Sequence, residues 1–205
     1  MFVLGIVTSL IFGTIAASDR LFHQATLRQG LQSDVLRFAG QLKHDCALSD
    51  FWRTEVCNRT NDGGLRRDGV ALVGLSDWDD PTQFDPDTHL PLWNRYIVYY
   101  APLEAPLRLY RQVVEPSGTT PLPLYTALPD NIQDQPAWNQ DVVQSSVLSD
   151  SVRTLQASKI LQNGSVEIKV HLRRAGLKRA NTNTQVVESL ETTITVRLQN
   201  TWPEI

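Results

Sequence analysis

Asp77, Asp79, Asp80, Asp85 and Asp87 lie within eleven residues, and carboxylate oxygens are what Ca²⁺ gathers, six to eight at a time. They are candidate Ca²⁺ ligands, although no glycine or closing glutamate follows at the places an EF-hand requires. Pro81 and Pro86 stiffen the stretch, so a solvated loop is the competing reading. Trp78 and Phe84 in that loop either pack onto the domain or meet a partner. Cys46 and Cys57 are the only two cysteines. In an oxidising compartment a disulfide between them would constrain the unfolded chain by ~2–3 kcal/mol; two separate thiols are the alternative. No second Cys or His pair stands beside them, which argues against zinc.

Catalytic patterns are missing. His23, His44, His89 and His171 are scattered. No serine sits in a Gly-x-Ser-x-Gly elbow and no glycine-rich phosphate loop occurs. The sequence therefore predicts no enzyme and no cofactor. A net charge of −3 supplies no basic field for nucleic acid. Arg173, Arg174, Lys178 and Arg179 form one basic cluster, read as a solvated hairpin end.

The elements that must carry these residues begin with the N-terminal stretch. Met1–Ser18 (MFVLGIVTSLIFGTIAAS) holds no charge, so Phe2, Leu4, Ile6, Val7, Leu10, Ile11, Phe12, Gly13 and Ile15 ask for lipid or an apolar partner on every side. As a helix it is about 27 Å long, near the ~30 Å of a hydrocarbon core. A cleaved signal peptide is an alternative, with Ala16, Ala17 and Ser18 as a cleavage-like site but no basic residue ahead of the apolar run. A buried core helix is another. After Asp19 an amphipathic pattern follows, with Leu31, Val35, Phe38 and Leu42 on one stripe. One helix of about 45 residues is expected.

Strand signals follow. Residues 70–75 (VALVGL) and 93–100 (WNRYIVYY) read as strands, with 107–114 pairing back antiparallel. Residues 115–141 carry five prolines and read as a loop. Asn163-Gly164 is a tight-turn dipeptide. Val166, Ile168, Val170 and Leu172 alternate with polar residues, as do Leu190, Thr192, Ile194, Val196 and Leu198. Residues 155–199 thus predict a three-stranded antiparallel meander with one apolar face, which the amphipathic helix half would cover. The expected class is α+β: residues 1–18 an apolar helix half, 19–45 an amphipathic half, and 46–205 a globular domain with an antiparallel sheet.

Several stretches together resemble the type IV pilin-like family, of the minor pilin or type II secretion pseudopilin (W/J-type) kind. Met1–Ser18 resembles the apolar helix beyond that family's processing site. Leu36-Arg37-Phe38 to Lys43-His44-Asp45 resembles the end of its helix. Tyr96–Tyr100 with Leu107–Arg111 resembles its paired strands, and Val147–Val152 and Thr193–Asn200 complete the likeness. The family's leader ending in glycine, followed by Phe-Thr-Leu-Ile-Glu, has no counterpart. Either the true start lies upstream of Met1 or this copy is not processed, and no processing residue carries over.

The resemblance implies a non-catalytic subunit of a type IV pilus-like filament. It would be held by a single pass in the inner membrane with its domain extracytoplasmic. Its partners would be other pilin-like subunits and the assembly machinery, with the chain ending in a surface or periplasmic filament. A secreted or anchored β-rich binding domain with an N-terminal signal segment is the alternative.

Overall fold

The computed structural model describes residues 2–104, 107–116, 139, 141–176 and 185–199, and begins with one uninterrupted helix, α1 (Phe2–Ala47). No proline occurs before Pro81, so nothing removes an amide from its hydrogen-bond ladder. Leu31, Phe38, Leu42 and Cys46 on one side of α1 are at most 1% exposed, and Val35 is half-buried against them. The helix closes with tightened bonds, from Leu48 N–H to the Asp45 carbonyl and from Ser49 N–H to that of Cys46.

Among the described residues, eight antiparallel-paired strands follow in two sheets. The first contains β1 (Glu55–Cys57), β2 (Gly69–Gly74), β3 (Arg95–Tyr100), β4 (Leu109–Val114) and β5 (Val142–Ser149), neighbours in chain order. The second is the meander of β6 (Val152–Ile160), β7 (Ser165–Ala175) and β8 (Val187–Arg197). The single sheet expected from sequence is thus corrected to two. The break falls at Ser149-Asp150-Ser151, after which β6 pairs along its length with β7 and touches the first sheet's side through one isolated bridge, Arg67–Leu155. Gly164 takes φ 63° in the turn between β6 and β7, the left-handed geometry its missing Cβ permits.

Both faces of the first sheet are covered, which explains why β2 and β3 read as apolar runs without alternation. Val70, Leu72, Ile97 and Tyr99 join the core that holds the α1 residues. Ala71, Val73, Tyr96, Val98 and Tyr100 face a second core with Trp93, onto which Trp78 and Phe84 of the acidic loop pack. Trp78 meets Trp93 and Phe84 edge-on at 6.0 and 6.1 Å, a favoured aromatic geometry. The meander presents one face to the first core, through Val152, Leu155, Val166, Ile168, Val170, Leu172 and Val196.

The two sheets are stitched at Asp68, which is fully buried. Its N–H donates to the Leu155 carbonyl, and its carboxylate accepts from the Ala157 and Arg59 amides at 2.9 and 3.1 Å. Arg66 adds an ion pair at 2.7 Å. Most of the proline-rich stretch lies outside the described residues.

Candidate functional site

The helix divides into a half held by the domain and a half held by nothing described. In the held half two aspartates, eleven residues or about three turns apart, each take an arginine from a different sheet. Asp45, in the last turn, accepts from Arg111 of β4 through Nε at 2.6 Å and Nη2 at 3.1 Å. The Tyr99 hydroxyl of β3 donates to the same carboxylate, and Gln41 donates to it at 3.3 Å. Asp34 accepts from Arg174 of β7 at 3.1 Å and from the Ser149 hydroxyl at 2.8 Å. Arg174 also reaches Asp150 at 2.5 Å.

These contacts set the electrostatics. Burial and the neighbouring Asp45 carboxylate push the Tyr99 hydroxyl far up. Burial pulls Arg111 down, but its bonds to Asp45 prevail and leave it above its ordinary value. The Ser151 hydroxyl, then Arg174, hold Asp150 below the usual carboxylate range. Arg174 is therefore a clamp, which corrects its reading as part of a solvated hairpin end. Lys178 and Arg179 lie outside the described residues. The Arg174 guanidinium crosses α1 at Gly30, where a Cβ would stand 2.5 Å from Nη1.

The other half is bare. Ile6, Val7, Leu10, Ile11, Phe12 and Ile15 are between 47 and 72% exposed, and a Cβ at Gly13 would meet nothing within 4 Å. Phe2 and Leu4 lie in the helix, with side chains outside the described set. Val7, Thr8, Ile11, Thr14 and Ile15 are β-branched and Gly13 is a poor helix former. Such a helix is marginal alone in water. Burying six such apolar side chains would release on the order of 10 kcal/mol. A contiguous patch of this kind marks an interaction surface. Among the described residues, no helix is long and apolar enough to cross a membrane; the described side chains begin at Ile6, inside the charge-free run.

Cys46 and Cys57 form no disulfide. Cys46 lies in the core shared with α1, and Cys57 in the core on the other face of the first sheet. The reason is strand alternation. Val56 faces α1, so Cys57 one residue on must face away. Burial, then Asp45, push the Cys46 thiol up to about 12.

Three of the five Ca²⁺ candidates accept hydrogen bonds within turns. Asp77 accepts from the Asp79 amide, Asp80 from the Thr82 amide and hydroxyl, and Asp85 from the amides of Asp87 and Thr88. These bonds hold Asp80 and Asp85 below the usual carboxylate range, through Thr82 and Thr88 respectively. Among the described residues no three His, Cys, Asp or Glu side chains come together as a metal site.

Sequence reasoning missed Asp34, Asp68 and the Arg111–Tyr99 pair. The one available signal was Asp34 and Asp45 sitting on the apolar stripe of an amphipathic helix, where a charge requires a partner. Comparison with protein-family models, with curated proteins and with solved structures returns no match.

Proposed function

We propose that this chain is a non-catalytic minor pilin- or pseudopilin-like subunit that assembles into, or primes, a type IV pilus-like filament. The observation that carries the reading is the division of α1. A charge-free apolar half stands clear while the other half is clamped to the domain by Asp34–Arg174 and Asp45–Arg111.

Before assembly the apolar half resides in the inner membrane, its backbone satisfied within the helix, and the domain stands outside the cytoplasm. On assembly the same half leaves lipid for the helices of neighbouring pilin-like subunits, with Gly13 and Ala16-Ala17 allowing close approach. Head-to-tail repetition of such a contact generates a helical filament. No reacting group and no cofactor enters this reading.

The test is the N-terminal sequence of the mature chain isolated from its native membrane, combined with its recovery in sheared filaments. A helix retained whole, a chain that resists alkaline extraction, and loss of both membrane and filament recovery in Leu10→Arg/Ile15→Arg are the expected results. A mature chain starting near Asp19 and released without detergent would overturn it in favour of a secreted β-rich binding domain.

A further inference from the structure

The domain-covered half of α1 carries a second stripe, on its outer side. At 100° per residue, Leu36 lies about 160° around the helix from Phe38, which is buried in the core. Ile15, Phe22, Gln29 and Leu36 recur every seven residues along this outer side and are all exposed, Phe22 at 68% and Leu36 at 73%. A companion row, Ile11, Ser18, Ala25, Gln32 and Ala39, keeps the same spacing; all are exposed except Ala39, which is half-buried. No member of either row is charged, although Asp19, Arg28 and Arg37 border them.

A seven-residue repeat drifts by ~20° per heptad on a straight helix, and stays in line only against a second helix that coils with it. A merely solvated face has no reason to keep that repeat free of charge across both halves of α1. We propose that this outer face is a helix-pairing seam, and that its occupant is the same face of a second copy of this chain, packed parallel.

Three features select that occupant. Gln29 and Gln32 carry amides that both donate and accept, so identical helices in register satisfy one another. A parallel pair sets Arg28 opposite Ser33 and Asp19 opposite Thr14, with no like charges facing. The domain lies on the far side of α1, so the two domains sit outside the pair. The seam runs about 42 Å, and with its flanks offers about 17 residues a side, close to the ~20–30 of a stable interface. The pairing needs neither lipid nor a filament and so goes beyond the assembly reading.

The test is cysteine cross-linking of the full chain in detergent micelles, with the unsubstituted chain as the blank. Ser18→Cys, Ala25→Cys and Gln32→Cys should each give disulfide dimers, because same-row residues of a parallel pair bring their Cβ atoms close. Arg20→Cys and Arg37→Cys, off the seam, should give about tenfold less. Leu36→Arg/Ala25→Arg, two exposed changes that leave the circular dichroism intact, should abolish the Ser18→Cys dimer. Equal yields on and off the seam, dimers at one seam position alone (an antiparallel crossing), or no dimers would each overturn the proposal. A chain that cross-links along the seam but never reaches a membrane or filament sinks the assembly reading and leaves the seam standing. Filament recovery without seam cross-links does the reverse.

Discussion

Arg111 forks onto Asp45, with Nε 2.6 Å from one carboxylate oxygen and Nη2 3.1 Å from the other, and so ties strand β4 to the last turn of α1. A carboxylate at a helix C-terminus faces the negative end of the helix dipole, and this one is buried. Arg111 offsets both penalties at once. Arg111→Met should therefore destabilise the domain by ~3–5 kcal/mol, the usual result of leaving a buried charge unpaired. Asp45→Asn/Arg111→Met should recover much of that loss, and Tyr99→Phe alone should cost ~1.5–3 kcal/mol for a bond to a charged acceptor. Thermal unfolding of the four proteins decides; equal losses for the single and paired changes would show that the pair is not coupled.

Gly30 and Arg174 should be coupled as well. Gly30→Ala removes the penalty of a helical glycine, about 1 kcal/mol, but its Cβ would stand 2.5 Å from Arg174 Nη1 and push the guanidinium off Asp34. The gain should be absent in the parent chain and present in Arg174→Ala. A double-mutant cycle measures this directly, and additive effects would refute it.

The two cysteines should behave as separate thiols. Denaturation in an alkylating reagent without reductant should add two labels per chain; a chain that accepts none would be disulfide-bonded.

Cys46 also gives a pH dependence of definite sign. Its folded-state pKa, about 12, lies above the ordinary 9.0, so the folded chain holds this proton more tightly than the unfolded one. The stability it contributes is whole below pH 9 and fades as pH rises toward 12. Stability should fall less steeply over that interval in Cys46→Ala; unchanged slopes would contradict the assignment.

In the acidic loop, Oδ1 of Asp80 accepts from Thr82 and Oδ1 of Asp85 accepts from Thr88. Millimolar Ca²⁺ should leave the melting temperature unchanged. Asp80→Ala should speed amide exchange at Thr82 and Gln83, which the carboxylate and its own carbonyl hold in the short turn Pro81–Gln83. A Ca²⁺-dependent rise in melting temperature, lost in Asp80→Ala, would restore the cation reading.

The sequence by itself determined the elements whose cause is local. Period-two alternation marks β7 and β8, Asn163-Gly164 marks the turn before β7, and the absence of proline lets α1 run unbroken to Ala47. The apolar character of the first eighteen residues is likewise plain from their types alone.

Tertiary structure alone decided which distant groups meet. Arg111 lies 66 residues from Asp45, and Arg174 lies 140 from Asp34; no periodicity encodes a partner across such distances. The same holds for Asp68, which reads as part of a charged loop until the Ala157 amide closes on it. Division into two sheets and separation of Cys46 from Cys57 follow from where strands pair and which face each residue takes. A shift of one residue along a strand reverses that face, so a short cysteine spacing carries no information about pairing until the sheet is in place.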